Sequence, residues 1–382
     1  MKKILILIGS YLPGYKIGGP QRTIENFVEH FGNRAEIYIY TLNHDMGETI
    51  SYEGVETYKW VQMGNTKVMY VPDSDYCGKK LKELYFEFDC IYSCSMFARY
   101  SIKLMLIHKK YHCLNKEIFI APMGVFSEGA LKSKSLKKDI FLNLFTMLRM
   151  FEHIIWSFTS ELERQDVIAK IGENNITDFV IAEDLPRKVD FENYIRKIES
   201  YHKSEELKIV FISRISPKKN LKACFNILRG IKDRKILFNI YGALEDERYW
   251  EECKELLLCL PDNIQVKYNG EIIPEEVLDK FSNNDIFLFP TKGENYGHVI
   301  FEALAAGCIP VISDKTPWTD IAEYTAGYIA KIEDENEFRK VICSIAEMDD
   351  SEIQSRKNMC IKYAERKYAS SIEDSGYIRV IS

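Results

Sequence analysis

Glu294 and Glu302 stand eight residues apart, on either side of the predicted start of a helix. Short apolar runs at residues 285–291 and 308–314 flank this segment and are typical of buried parallel strands. The glutamates therefore follow the carboxyl end of a strand, where open α/β sheets bind ligands. Because carboxylates accept hydrogen bonds from hydroxyl groups, the pair could hold two polyols, such as a ribose and a hexose.

Glycines in the same turn favour an anion between the two carboxylates. Gly293 and Gly297 allow positive φ and let the backbone approach a ligand closely. Backbone N–H groups near Gly297, His298 and Val299 would face the anion, and the helix dipole would support them. An anion flanked by two polyols describes a nucleotide sugar. The alternative is a helix with two surface glutamates after an ordinary glycine turn.

A second block places two cations between an apolar strand and a helix. The block covers residues 208–220, with Arg214 and Lys219 after the strand and a helical pattern starting at Asn220. Arginine can bind two oxygens at once and lysine acts as a point charge, so the pair suits a diphosphate. The alternative is a solvated basic loop, because Lys218 lies beside them.

Residues 290–318, PTKGENYGHVIFEALAAGCIPVISDKTPW, resemble the donor-site signature of the retaining, GT-B-fold glycosyltransferases of family 4. The resemblance is strong over residues 208–318 and looser in the first half. It implies catalytic roles for Arg214, Lys219 and Glu294, with the two cations on the donor diphosphate and Glu294 on the transferred sugar. It also implies retention of the anomeric configuration. The complete expected donor-binding set is Gly18, Gly19, Arg214, Lys219, Gly242, Glu294, Asn295, Gly297, His298, Val299 and Glu302, the last of these on the ribose.

Strand and helix patterns alternate twice along the chain, which indicates an α/β protein of two Rossmann-like domains facing across a cleft, as the GT-B resemblance also implies. A length of 382 residues suits two domains. Strands are predicted, among others, at residues 36–42, 90–94 and 117–121. The expected organisation is an acceptor-side domain at 1–183, a charged linker at 184–206, a nucleotide-sugar-binding domain at 207–366, and a tail at 367–382 that packs back towards the first domain.

Composition narrows the class of protein. The chain is 46% hydrophobic and 28% charged, as in soluble globular proteins, and its net charge of −6 gives no case for nucleic acid binding. Ten cysteines lack zinc-type spacing and favour reduced core residues in a cytoplasmic protein. The first apolar run is too short for a membrane span and leads into a glycine turn, so a first β-strand is favoured over a signal peptide.

A glycine loop follows this first strand. Gly18 and Gly19 precede Pro20, which suits the first turn of a helix, and Arg22 stands nearby as a further possible contact. The loop lacks the dinucleotide-binding glycine pattern, so a dehydrogenase finds little support. The resemblance implies that these glycines face the donor diphosphate and sugar. A simple strand-to-helix connection is the alternative.

The region at residues 99–155 combines lysines with apolar side chains. Between residues 99 and 150, ten Lys or Arg oppose three Asp or Glu, a pattern that could lie on an anionic bilayer. The alternative is a helix of the protein core that begins with basic residues exposed to solvent. Similar enzymes extend sugars on lipid-diphosphate carriers, which would place an acceptor beside this domain.

Three features argue against further site assignments. Met123 stands in a loop, residues 121–134, where the family pattern has arginine, and residues 182–186 stand where an asparagine is usual. No catalytic role is therefore assigned to Glu183 or Asp184. The Asp73-x-Asp75 pair imitates a metal-binding motif but reads as a proline-aspartate turn.

The sequence thus predicts a metal-independent, retaining hexosyltransferase with no cofactor, a UDP-sugar rather than a GDP-sugar as donor, and a glycan or lipid-linked acceptor. Similar chains commonly serve bacterial surface polysaccharide synthesis, such as O-antigen or capsule. The expected location is cytoplasmic, with possible peripheral contact with the cell membrane. Two alternatives are a UDP-sugar epimerase of the same fold and a catalytically silent partner that binds a sugar nucleotide.

Overall fold

The structure is a computed structural model that describes residues 1–111, 116–126 and 135–382. It contains two compact units. The first unit comprises Met1–Lys188 and Ser371–Ser382, and the second comprises Val189–Ser370.

Both units are built from alternating strands and helices. The strands are β1 Lys3–Leu7, β2 Glu36–Leu42, β3 Trp60–Met63, β4 Thr66–Val71, β5 Cys90–Cys94, β6 Glu117–Ala121, β7 Ile155–Phe158, β8 Phe179–Ile181, β9 Leu207–Ile212, β10 Ile236–Tyr241, β11 Ile264–Tyr268, β12 Ile286–Phe289, β13 Ile309–Ser313 and β14 Tyr328–Ala330. The helices are α1 Gly19–Phe31, α2 Lys79–Glu87, α3 Arg99–Tyr111, α4 Ser135–Met147, α5 Glu161–Ile171, α6 Phe191–Glu199, α7 Leu221–Arg229, α8 Glu247–Leu257, α9 Val277–Ser282, α10 His298–Ala305, α11 Glu335–Glu347, α12 Asp350–Glu373 and α13 Tyr377–Ile381.

The first unit has an eight-stranded sheet with the order β3-β4-β2-β1-β5-β6-β7-β8, parallel except for the antiparallel pair β3–β4. Successive residues of β1 enter opposite cores: Leu5 and Leu7 pack on one face, and Ile4 and Ile6 pack on the other. Helices must therefore cover both faces, which explains why the central strands are apolar at nearly every position.

The segment after β8 is fixed along α1. Thr23 Oγ1 donates a hydrogen bond to the buried Asp184 carboxylate at 2.7 Å, and Asn26 Nδ2 donates one to the Leu185 carbonyl at 2.6 Å. Tyr377 of α13 is buried in the same core. Asp184 thus anchors the start of α1 from inside the first unit, which gives residues 182–186 a structural role.

The second unit has a six-stranded, fully parallel sheet with the order β11-β10-β9-β12-β13-β14. One apolar core surrounds it. The prediction of two α/β domains with parallel sheets is therefore confirmed.

The unit boundaries differ from the predicted domain limits. The segment at 184–206, expected to be a linker, contains α6, whose Tyr194 and Ile198 are buried in the core of the second unit. Apolar residues spaced four apart make this helix amphipathic despite its many charges. The second unit therefore begins near residue 189 rather than 207, and it ends within α12.

Among the helices in the described ranges, none combines the length and the apolar character needed to cross a membrane.

Candidate functional site

The predicted donor-site residues of the second unit surround a switch in strand order. β9 is paired with β10 on one side and with β12 on the other. The chain therefore leaves β9 and β12 towards opposite sides, which opens a crevice at the carboxyl ends of these strands. Arg214 and Lys219 follow β9, and Glu294 follows β12.

Lys219 and Glu294 form an ion pair in this crevice. Lys219 Nζ lies 2.7 Å from Glu294 Oε1 and 2.8 Å from Oε2, and the two side chains are only 13% and 9% exposed. Thr291 Oγ1 donates a third hydrogen bond to Oε1 at 2.8 Å. The sequence predicted that both charged residues belong to the donor site. It predicted neither their direct contact nor the hydrogen bond from Thr291.

The loops that carry this pair are tied to each other. The backbone N–H of Lys292 donates to the Lys218 carbonyl at 2.9 Å, and Asn220 Nδ2 donates to the Pro290 carbonyl at 2.9 Å. Asn220 has a left-handed backbone with φ 61°, which asparagine tolerates better than most residues. The residue expected only to start a helix therefore also fixes the spacing of the two loops.

The electrostatic surroundings of Lys219 connect it to the other cations. Burial lowers its pKa, Glu294 opposes that shift, and Lys218 and Arg214 lower the pKa further. The cations are thus close enough to repel one another. Such a cluster gains from the arrival of an anion, and a lysine ammonium has three donors, so two bonds to Glu294 leave capacity for a phosphate oxygen.

Arg214 lies at the rim of this cluster. Its Nη1 is 2.7 Å from Glu245 Oε1, and both side chains are more than 40% exposed. An exposed ion pair is worth about 0–1 kcal/mol, so a ligand phosphate could displace Glu245 at little cost. Glu245 was not predicted, because it follows a different strand, β10.

Gly242, another predicted donor-site residue, allows a close backbone approach beside Arg214. Its φ is 145°, and a Cβ placed there would lie 1.8 Å from the Ser213 carbonyl oxygen. Its N–H donates to the Gly270 carbonyl at 2.8 Å. Since Ser213 precedes Arg214, a side chain at residue 242 would displace the backbone that carries the arginine.

Helix α10 begins where the sequence placed it. Gly297 is its N-cap with φ 82°, and His298 is its first residue, followed by Val299. Glu302 lies one turn into the helix and is buried. N–H groups of a first helical turn have no intrahelical partner, so they suit an anion. Gly293 also has positive φ, and Asn295 is exposed in the loop before the helix.

A contact between two aromatic side chains, which the sequence did not predict, fixes the loop before α10. Trp318 Nε1 donates a hydrogen bond to the Tyr296 carbonyl at 2.5 Å, and the two rings pack edge to face with centroids 5.4 Å apart. Both side chains are buried. The signal was present, because both aromatics fall within the motif at residues 290–318.

The glycine loop belongs to the first unit. Gly18 has φ 75° and precedes α1, and a Cβ built on Gly18 or Gly19 would meet no atom within 4 Å. Arg22 pairs with Glu25 at 2.8 Å. The expected contact of these glycines with a donor stays a prediction.

Asp73 and Asp75 contact protein side chains. Asp73 lies 3.3 Å from Arg99 Nη1, and Asp75 accepts a hydrogen bond from the Tyr58 hydroxyl. In the described part of the chain, no group of three or more His, Cys, Asp or Glu side chains could hold a metal ion. Residues 127–134 of the loop after Met123 lie outside the described residues.

Comparison with known proteins assigns the segment that carries this geometry to a protein family. Residues 192–367, nearly the whole second unit, match the family described as Glycosyl transferases group 1. The protein is a glycosyltransferase. The matched segment contains both loops of the crevice, the Lys219–Glu294 pair and helix α10.

Other proteins resemble this glycosyltransferase along most of its length. The "Uncharacterized 41.2 kDa protein in cps region" of Klebsiella pneumoniae is 23% identical over 301 residues, which cover 78% of this chain and 79% of that protein. Anabaena HepE, solved with UDP and glucose, has a TM-score of 0.69 at 14% identity, with 98% of each chain covered. WaaG, a glycosyltransferase involved in lipopolysaccharide biosynthesis, has a TM-score of 0.67 at 12% identity and covers 98% of this chain and 99% of its own. These structural matches establish the GT-B fold.

Proposed function

We propose that this glycosyltransferase is a retaining enzyme of family 4 that transfers a hexose from a UDP-sugar. The observation that carries the proposal is the buried Lys219–Glu294 pair at the strand switch, beside the first turn of α10. The acceptor is a glycan or lipid-linked sugar of bacterial surface polysaccharide. UDP in HepE, lipopolysaccharide biosynthesis in WaaG and the cps-region relative support these choices.

In the proposed reaction, the bond between the anomeric carbon and the diphosphate breaks, and negative charge develops on the leaving group. Fixed cations and oriented N–H groups lower the barrier because they are in place before that charge appears. Lys219, Arg214 and the start of α10 would perform this role without a divalent cation. Glu294 would orient Lys219 and accept hydrogen bonds from sugar hydroxyls, while Glu302 would hold the ribose.

A binding assay tests the donor part of the proposal. UDP and UDP-sugars are expected to raise the melting temperature more than GDP and GDP-sugars do, equally with and without EDTA. Stabilisation by a ligand at 100 times its Kd is about 2.7 kcal/mol, which such an assay detects readily. Glu302→Gln should weaken UDP binding about tenfold, whereas Glu323→Gln, an exposed position, should not.

The same assay can contradict the proposal. A rise in melting temperature that requires a divalent cation would contradict the metal-independent mechanism. If no nucleotide raises the melting temperature, the proposed donor site is wrong. Free UDP released only when an acceptor is present distinguishes a transferase from an epimerase or a silent binding partner. An NMR spectrum of the product tests retention through its anomeric configuration.

Peripheral membrane contact is also part of the proposal, and α4 supports it. Ile140, Leu144 and Met147 are exposed at 68%, 45% and 73%, and Leu148 follows at 47%. Their spacing of three to four residues places them on one helix face. Arg149, 76% exposed, adds a cation beside this stripe. An apolar stripe with basic residues suits the surface of an anionic bilayer.

Vesicle sedimentation tests this contact. Ile140→Asp/Met147→Asp should reduce binding to phosphatidylglycerol vesicles about tenfold or more, because two exposed apolar side chains become anionic. Leu258→Asp, which changes an 89% exposed leucine of the second unit, is the matched control. Equal sedimentation of all three proteins, or binding that neutral phosphatidylcholine vesicles reproduce, would contradict the proposed surface.

A further inference from the structure

A pocket of about 580 Å³ opens on the surface of the first unit. Its lining comes from β1, β2, β3 and β4 and from the end of α2. The pocket lies towards the amino ends of β1, β2 and β4, whereas Gly18, Gly19 and α1 follow the carboxyl end of β1. Its volume is within the range of about 300–1,000 Å³ that is usual for small-molecule sites.

The pairing of the strands explains where this pocket forms. Gln62 of β3 lies opposite Lys67 of β4, and Lys67 lies opposite Tyr38 of β2. Side chains that lie opposite each other share one face of a sheet, and here it is the face on which Leu5 packs. The buried residues of α2 belong to the same core, and α2 ends at Glu87. The pocket thus forms beyond the end of α2, where this helix no longer covers the sheet.

Three aromatic side chains form the apolar part of the pocket. The ring of Tyr38 packs edge to face against Trp60 and against Phe88, with centroids 5.0 Å apart in both pairs. Phe88 is buried, whereas Tyr38 and Trp60 are half-buried. Trp60 therefore presents part of its ring to the pocket in an orientation that its neighbours fix. Such a surface suits the apolar C–H face of a sugar ring.

Polar side chains of both signs surround the aromatic rings. Lys3 and Lys67 are exposed cations, Glu87 is an exposed anion, and Gln62 carries an exposed amide. Lys67 Nζ lies 3.4 Å from the Tyr38 hydroxyl and 5.1 Å from the centroid of its ring, which places the ammonium over the tyrosine. Lysine only donates hydrogen bonds, a carboxylate only accepts them, and an amide does both.

This combination of groups favours a neutral polyol over other ligands. Each hydroxyl both donates and accepts hydrogen bonds, so a sugar can satisfy lysine, glutamate and glutamine together. An anion would be repelled by Glu87, and a cation would be repelled by the two lysines. A purely apolar ligand would remove the charged groups from water without replacing their hydrogen bonds.

We propose that this pocket is a second glycan-binding site, which holds one or two neutral sugar residues with a sugar ring packed on Trp60. The site goes beyond the proposed function, which requires only a donor and an acceptor at the reacting bond. Because the chain is a glycosyltransferase, a sugar chain is the polyol that it would bind here. A glycan held at this second point would stay at a high local concentration around the enzyme.

Ligand-observed NMR on the full chain with cellotriose, maltotriose and β-1,4-mannotriose tests the proposal. At least one of these neutral trisaccharides should bind the wild type with a Kd in the millimolar range or below. Trp60→Ala should weaken that binding at least about tenfold, because the sugar loses its apolar surface. Trp250→Ala is the matched control, since Trp250 is also half-buried and packs on a tyrosine, Tyr268, but belongs to the second unit. It should leave the affinity unchanged.

A second variant separates sugar binding from folding. Gln62→Ala/Glu87→Ala changes two exposed side chains and leaves the three aromatic rings in place. It should keep the melting temperature of the wild type and weaken trisaccharide binding about tenfold, because two groups that bond to hydroxyls are removed.

Failure of all three trisaccharides to bind would overturn the proposal, and so would full binding by a folded Trp60→Ala or Gln62→Ala/Glu87→Ala variant. Displacement of the trisaccharide by UDP would overturn it too, because the sugar would then occupy the donor site. UDP binding by thermal shift tests the donor site separately. If UDP stabilises the protein and no trisaccharide binds, only the glycan site is wrong. If trisaccharide binding depends on Trp60 and no nucleotide binds, only the donor site is wrong.

Discussion

The double variant Arg214→Ala/Lys219→Met is expected to lose about 10²- to 10⁴-fold in kcat/KM. Each cation would make a charge-assisted contact with the leaving diphosphate, worth about 1.5–3 kcal/mol, and each 1.4 kcal/mol corresponds to a factor of ten in rate. Steady-state kinetics with UDP-sugar and an acceptor glucoside measure the loss. The fall should occur mainly in kcat, because the diphosphate carries more charge in the transition state than in the bound donor.

Stability must be separated from catalysis, because Lys219 is paired with Glu294 and both are nearly buried. Lys219→Met leaves an uncompensated carboxylate, which costs about 3–5 kcal/mol for a buried pair. Lys219→Met/Glu294→Gln removes that charge and should restore much of the melting temperature without restoring activity. A purely structural ion pair would instead give back activity together with stability.

Lys222 offers a matched control. It follows Lys219 by three residues and also pairs with a glutamate, Glu252, but its side chain is 32% exposed and that of Glu252 is 42% exposed. Lys222→Met should therefore cost less than about 1 kcal/mol of stability and leave kcat unchanged. A loss of activity equal to that of Lys219→Met would show that general positive charge, rather than the position of Lys219, matters.

The fold was predictable where both faces of a strand are buried. β2, β5 and β6 have the predicted limits because their apolar side chains are continuous or alternate regularly. β3 was missed, since it is a four-residue antiparallel edge strand without a fully buried residue. Its formation depends on pairing with β4, which a local pattern does not encode.

The residues of the candidate site could be named from the sequence, but the contacts between them could not. Arg214, Lys219 and Glu294 were identified from glycine, charge and helix-start patterns, together with the family resemblance. The Lys219–Glu294 bond joins residues 75 positions apart, so it depends on the order of strands in the sheet. Glu245 approaches Arg214 from the end of β10 for the same reason.

Asp184 is the opposite case, because the residues around it in the sequence suggested no role for it. Its properties arise from packing: α1 supplies Thr23, 161 positions away, and the core of the first unit excludes water. The pKa of this carboxyl is raised from 3.8 to about 7, mainly by burial; the Thr23 hydrogen bond opposes this rise, and the nearby Glu163 and Glu183 contribute to it. A single carboxyl should therefore make the stability of the protein depend on pH near neutrality.

The sign of this dependence follows from proton binding. Between about pH 4 and pH 7 the folded protein holds a proton on Asp184 that the unfolded chain has lost, so stability falls as the pH rises. Below this window both states are protonated, and above it the penalty is complete. Raising the Asp184 pKa from 3.8 to about 7 corresponds to a free energy of roughly 4 kcal/mol. Asp184→Asn cannot titrate, so its stability relative to the wild type should rise by up to about 4 kcal/mol between pH 4 and pH 8.

Urea unfolding at pH 4, 5, 6, 7 and 8, compared between the wild type and the variant, measures this rise. Asp178→Asn is the control, because the hydrogen bond from Arg379 lowers the Asp178 pKa and confines its titration to acid pH. Its effect relative to the wild type should be constant from pH 5 to pH 8. A flat difference for Asp184→Asn over the same range would mean that Asp184 stays ionised inside the fold. Its hydrogen bond to Thr23 would then be a contact to a buried charge, and the start of α1 would be anchored more strongly at neutral pH than in acid.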